Sequence, residues 1–270
     1  MIMNSKIVFI GAGNMAEAIV SGIIAGQCCA PENIVMTDVI PERLAALAEK
    51  YGVEVSITNQ AAENAGTVLL AVKPQVLPEI LHELKPVLKK ETLVISITAG
   101  ITTRKIETLL GENRRVVRVM PNTPALIKRG ASAIAGGVNA GESDLEMVEK
   151  IFSSVGFTVR VDEKELDAVT ALSGSGPAYV FYLLEAMLAA AGRMGLDKEV
   201  ARALALQTVT GSAELMQTSG EDADTLRANV TSKGGTTAAA INVLETQGVK
   251  EAIIEALLAA QKRSAELSAS

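Results

Sequence analysis

The chain has no tryptophan and a single histidine, and its aromatic rings are three Tyr and four Phe in 270 positions. Stacking on nucleic-acid bases needs aromatic faces, and a formal charge of −6 offers no basic surface to phosphates. A nucleic-acid partner is therefore not expected. The histidine, His82, falls in a stretch read as a surface helix, and no proton-transfer role is assigned to it. The two cysteines, Cys28 and Cys29, are adjacent in a loop. That spacing fits neither a disulfide framework nor a metal site, so no metal and a reducing, cytoplasmic setting are expected. A long uncharged apolar run is also missing. The most apolar helical stretch, 179–196, carries Glu185 and Arg193, so no membrane span is expected. No charged-apolar-small signal pattern opens the chain.

What is present begins with Val8-Phe9-Ile10-Gly11-Ala12-Gly13-Asn14-Met15-Ala16. The apolar run 7–10 reads as a buried strand. It breaks into Gly-x-Gly-x-x-Ala, and Met15, Ile19, Ile23 and Ile24 follow at helical spacing. Strand, glycine turn and helix together are the fingerprint of a dinucleotide-binding turn. Gly11 allows the tight turn, Gly13 lets a pyrophosphate approach the backbone, and Ala16 lets the helix pack on the strand. The helix dipole and its first free N–H groups then face the phosphates.

The second strand, 34–37, ends at Thr37-Asp38, with Asp38 22 residues after Ala16. A carboxylate near that spacing bonds the ribose hydroxyl of NAD and repels the 2′-phosphate of NADP. Asp38 equally suits the start of the turn into the next helix, so the choice between NAD and NADP stays open. Further apolar strands at 53–56, 67–72, 93–97, 116–120, 132–136 and 158–161 alternate with helices. That pattern is an α/β doubly wound sheet. Three strand ends carry small or polar residues toward the same edge: the glycine turn, Ala71-Val72-Lys73-Pro74, and Met120-Pro121-Asn122. Ligands bind beyond such carboxyl ends. Lys73 and Pro74 also read as an ordinary helix start.

From Glu163 onward the pattern is helical. Two polar glycine loops interrupt it, Ser173-Gly174-Ser175-Gly176 and Ser232-Lys233-Gly234-Gly235-Thr236-Thr237. Each is expected to open a helix and present N–H groups and hydroxyls to a small anion such as a carboxylate. The helices are rich in Ala and Leu, which points to a helical dimer interface. Two domains are expected, residues 1–162 for the dinucleotide and residues 163–270 for substrate and dimerisation.

Taken together, these blocks resemble the pyrroline-5-carboxylate reductase family over nearly the whole chain. The specific ones are Leu172-Ser173-Gly174-Ser175-Gly176-Pro177-Ala178-Tyr179-Val180 and Val230-Thr231-Ser232-Lys233-Gly234-Gly235-Thr236-Thr237. The resemblance implies a Rossmann-like N-terminal domain and an all-α C-terminal dimerisation domain. Dimers in the family often build a ring such as a decamer. It implies hydride transfer from NADPH or NADH to C5 of Δ1-pyrroline-5-carboxylate, giving L-proline in the last step of proline synthesis. It places Thr237 at the substrate nitrogen and the loop around it at the substrate carboxylate. Asn59 and Asn229 fall near the cofactor, and Glu163 near the ligands. Asp38 departs from the Ser or Thr common in the family, where NADPH is commonly preferred. Lys233 replaces a common Pro and adds a cation near the carboxylate. A cyclic iminium arrives already protonated, so the missing histidine is no obstacle. A β-hydroxyacid dehydrogenase would need a lysine on the long helix 178–196, which has none. A non-catalytic nucleotide sensor would not need the 232–237 loop.

Overall fold

The computed structural model describes residues 5–111 and 113–269. Residues 1–4, 112 and 270 of the two expected domains lie outside the described residues. Chain contacts divide the protein into two compact units. One holds the residues up to Ser175 together with those from Ala260 onward, and the other is Gly176–Ala259.

The first unit carries an eight-stranded sheet. Its strands are β1 (Ile7–Ile10), β2 (Ile34–Thr37), β3 (Glu54–Ser56), β4 (Thr67–Leu70), β5 (Leu93–Ser96), β6 (Arg115–Met120), β7 (Gly130–Gly136) and β8 (Gly156–Arg160). The order is β3-β2-β1-β4-β5-β6-β7-β8. Neighbours from β3 to β6 are parallel. β7 turns antiparallel on β6, and β8 runs parallel to β7. Helices α1 (Asn14–Ala25), α2 (Pro41–Tyr51), α3 (Leu77–Leu84), α4 (Thr103–Leu110) and α5 (Glu142–Ser153) connect the strands.

Alternation along β1 sorts the core into two layers. Ile7 and Phe9 pack with Ile19 and Ile23 of α1, whereas Val8 and Ile10 pack with Leu77 and Leu81 of α3. All four β1 residues are buried, so the strand reads as a continuous apolar run, as a sheet covered on both faces requires. Each such side chain contributes about 1.5–3 kcal/mol of burial.

Residues 163–175 belong to the first unit. They form a 3₁₀ turn (Glu163–Glu165), a short helix α6 (Leu166–Val169) and a π-helical turn (Thr170–Gly174). The sequence suggested an open glycine loop at 173–176. Instead the Ser175 N–H donates to the Thr170 carbonyl at 2.8 Å, and the turn runs into the next helix. The N–H of Ser175 is thus used internally, which corrects the expectation of a free helix start there.

The second unit holds α7 (Gly176–Arg193), α8 (Lys198–Ser219), α9 (Ala223–Asn229), α10 (Thr236–Thr246) and most of α11 (Val249–Ala269). The last turns of α11 belong to the first unit, where Ser264 and Ser268 donate to Asp167 Oδ1 at 2.7 and 3.2 Å. Phe181, Tyr182 and Leu183 on α7 and Leu204 on α8 are exposed. No helix among the described residues is long and apolar enough to cross a membrane.

Candidate active site

Chain order reverses beside β1: β2 and β3 lie on one side of it, and β4 onward on the other. Such a switch point opens a crevice at the carboxyl ends of the strands. Here the crevice is a cleft of about 510 Å³. Its lining includes Ile10 and Gly11 after β1, Thr37 and Asp38 after β2, Asn59, and Val72 after β4.

The glycine turn at its floor is sterically determined. Gly11 has φ +97°, and a Cβ there would lie 2.6 Å from the Ala71 carbonyl oxygen. The Ala71 N–H in turn donates to the Ile10 carbonyl at 2.8 Å, and the Gly11 N–H to the Thr37 carbonyl at 2.9 Å. The turn is therefore clamped between the ends of β2 and β4. Above it, Gly13 caps α1 with no side-chain hydrogen bond, and a Cβ there would meet nothing within 4 Å. The first intrahelical bond runs from the Glu17 N–H to the Gly13 carbonyl, so the N–H groups of Asn14, Met15 and Ala16 have no intrahelical acceptor. Open space, free donors and the dipole end coincide, which is the cradle a pyrophosphate needs.

Asp38 braces this turn. Its Oδ2 accepts from the Ala12 N–H at 2.8 Å and its Oδ1 from the Ile40 N–H at 3.2 Å. The residue that caps α2 is Ile40. Arg43 meets the same peptide from the other side, donating Nε to the Ala12 carbonyl at 2.9 Å, and its guanidinium pairs with Glu17. Lys50 and Tyr51 both donate to Glu17 Oε1 at 2.9 Å. The Lys50, Arg43 and Tyr51 bonds outweigh desolvation and lower the Glu17 pKa to about 2. Across the cleft, Thr37 Oγ1 donates to Asn59 Oδ1 at 3.2 Å and Asn59 Nδ2 to Glu83 at 2.8 Å.

Residues 163–267 match the family model for pyrroline-5-carboxylate reductase dimerisation, and residues 6–100 match that for the coenzyme F420-dependent NADP oxidoreductases. The pyrroline-5-carboxylate reductase of Methanosarcina acetivorans is 44% identical over 98% of either chain. The solved structure of a pyrroline-5-carboxylate reductase from Coxiella burnetii superposes with a TM-score of 0.90 at 42% identity, covering 98% of this chain and 99% of that one. A Plasmodium falciparum pyrroline carboxylate reductase, solved with NADP bound, gives 0.91 at 31% identity over 99% of this chain and 100% of that one.

The chain belongs to the pyrroline-5-carboxylate reductase family. It is an NAD(P)H-dependent oxidoreductase with a dimerisation region at 163–267.

Of the residues singled out in the sequence, the cleft gathers Ile10, Gly11, Thr37, Asp38, Asn59 and Val72. Ala12, Gly13, Asn14 and Met15 form the turn and the start of α1, and Ala71 lies against Gly11. Lys73 and Pro74 sit in the turn after β4, where the Val76 N–H donates to the Lys73 carbonyl at 3.2 Å. Met120 ends β6, three strands along from β1, Pro121 and Asn122 follow it, and none of the three lines this cleft. The Asn122 amide is used in the fold: Nδ2 donates to the Ser173 carbonyl at 3.0 Å, and Oδ1 accepts from the Ala131 N–H at 2.8 Å. It fastens the end of β6 and the start of β7 to the π-helical turn, where the Met120 side chain also lies against Gly174. Both Glu163 oxygens are engaged at the start of α4, accepting from the Thr103 N–H at 2.6 Å and its hydroxyl at 2.7 Å.

In the second unit, Asn229 ends α9 and donates to Glu221 at 3.4 Å. Ser232 to Gly235 form a tight turn with Gly234 at φ +74°. The Gly235 N–H donates to the Ser232 carbonyl at 3.0 Å, so it is spent inside the turn. Lys233 is exposed at its tip. Gly235 caps α10 without a side-chain bond, and the first intrahelical bond is from Ala239 to Gly235. The N–H groups of Thr236, Thr237 and Ala238 are therefore the ones left to a ligand.

Sequence reasoning missed the far wall of the cleft, formed by Ile57, Thr58, Val76, Glu79, Ile80 and Glu83. The spacing of Val76, Glu79, Ile80 and Glu83 was the available signal. It is one face of a helix, but it resembles any solvated amphipathic face.

Proposed function

We propose that the chain reduces Δ1-pyrroline-5-carboxylate to L-proline. The observation that carries this is the cradle at Gly11–Ala16, built at a sheet switch point in a chain alignable end to end with pyrroline-5-carboxylate reductases. When bound, NAD(P)H supplies a hydride to C5 of the imine. The rest is done by side chains and backbone. The N–H groups at the start of α1 hold the pyrophosphate, and Asp38 takes the adenosine ribose. The N–H groups of Thr236 and Ala238 bind the substrate carboxylate, with Lys233 as a nearby cation. The Thr237 hydroxyl holds the imine nitrogen and fixes which face of the ring is presented. The iminium enters protonated, so the nitrogen keeps its proton as C5 becomes saturated. Orientation is then the main contribution of the protein.

In this reading residues 1–162 serve the cofactor, and residues 163–270 serve substrate binding and dimerisation. The exposed apolar side chains of α7 and α8 support burial in a dimer. Assembly of dimers into a decamer and a cytoplasmic location complete the proposal. Incubation with Δ1-pyrroline-5-carboxylate and reduced cofactor tests the reaction. Loss of nicotinamide absorbance matched by proline formation is expected, and its absence in a folded, cofactor-binding sample overturns the assignment.

A further inference from the structure

The cofactor end of the cleft carries charge of one sign. Asp38, Glu79 and Glu83 line it, and among the described residues no Lys or Arg does. The nearest cation to Asp38 in the chain is Arg43, and it is committed elsewhere. Ala12 is where the two meet: its N–H bonds Asp38, and its carbonyl takes Arg43 Nε. Its Nη2 pairs with Glu17, which also gathers Lys50. The Glu17 side chain is only 18% exposed, so this pairing is sheltered. Lys73 follows β4, which β1 separates from β2, so it stands on the other side of the glycine turn from Asp38.

A dinucleotide lying across this switch point places its adenosine ribose at the end of β2. A 2′-hydroxyl there can donate to Asp38, whose oxygens keep further lone pairs after bonding Ala12 and Ile40. A 2′-phosphate would instead bring a second negative charge against a carboxylate held in place by two backbone N–H groups. The guanidinium nearest in the chain, that of Arg43, is already drawn onto the Ala12 carbonyl and Glu17.

Building on the reductase reading above, we propose that this site selects NADH over NADPH: Asp38 excludes the 2′-phosphate, and Glu17 is a positioning residue that withholds Arg43 from it. Glu17 touches no cofactor in this scheme. It acts through Arg43, and its removal frees a cation beside the ribose position.

The test uses the purified full-length chain. Each reduced cofactor is titrated by nicotinamide fluorescence without substrate, and kcat/KM is measured for each with Δ1-pyrroline-5-carboxylate. NADH is expected to be favoured by about tenfold or more in both readouts, carried mainly in Kd and KM. Asp38→Asn keeps an acceptor for the Ala12 N–H and removes the charge. It should shift the NADH-to-NADPH ratio by about tenfold toward NADPH. Glu17→Gln should move the ratio the same way with Asp38 intact, which a merely structural defect would not do. Equal or tighter use of NADPH by the wild-type chain overturns the proposal, as does a ratio unmoved in both variants. If Asp38→Asn does not fold, the wild-type ratio and Glu17→Gln decide. If both cofactors bind but neither is oxidised, the reductase reading fails, while the titrations still settle selectivity.

Discussion

Gly11 shows how one position can be fixed by two independent constraints. Its φ of +97° disfavours any L side chain, and a Cβ would press to 2.6 Å from the Ala71 carbonyl. Gly11→Ala should therefore lower stability by about 1–3 kcal/mol, read by chemical denaturation, and weaken binding of reduced cofactor as the turn shifts. Glu17 makes a pH-dependent contribution. Its folded pKa is lowered from 4.5 to about 2, chiefly by the Lys50 bond, so the stabilisation is fully present above pH 4.5. It is lost as the pH falls from 4.5 toward 2, because the unfolded chain takes up the proton first. Acid titration of thermal stability in wild type and Glu17→Gln checks this: the variant should show a shallower acid slope. At the substrate end, Thr237→Ala should cut kcat/KM by about ten- to a hundredfold while cofactor Kd stays within about twofold. Unchanged turnover would remove Thr237 from the mechanism.

Among the elements, those with a strong local signal were legible in advance. The apolar runs of β1, β2 and β4 and the turn between β1 and α1 rest on period and glycine placement, which the chain states locally. The start of α8 is equally local. Asp197 caps it, accepting from the Glu199 and Val200 N–H groups at 2.9 and 3.1 Å. Asp197→Ala should cost about 1 kcal/mol, measured by denaturant midpoint. The segment 170–175 was not legible. Ser-Gly-Ser-Gly composition says loop, but a bond from Ser175 to Thr170 makes it helical, and Asn122 anchors it from 51 residues away. Such a turn is set by tertiary partners that no local pattern announces. Glu79 and Glu83 escaped notice for a similar reason: only the packing of α3 beside β4 turns a solvated helical face into a cleft wall.

At the scale of the whole molecule, the sheet supplies a switch point and the helical unit supplies a polar helix start at α10. The sequence marked the glycine turn beside the first and the loop that opens the second, because each of these is written as a contiguous motif, whereas the switch point itself follows from the strand order. The acidic lining of the cleft is instead the sum of Glu79 and Glu83 from α3 and Asp38 from the turn after β2. No single stretch encodes it. Exposed Phe181, Tyr182 and Leu183 lie within the 163–267 stretch that matches the dimerisation model. Light scattering of the purified chain should give at least twice the 28.2 kDa of one copy, and a decamer where the ring forms. A monomeric mass would contradict the dimeric assignment.

The most direct measurement of the central claim is product balance: reduced nicotinamide consumed against L-proline formed from Δ1-pyrroline-5-carboxylate by the wild-type chain. One proline per cofactor oxidised, abolished when the imine is omitted, is the predicted result. A folded dimer that binds the cofactor yet forms no proline would contradict the account.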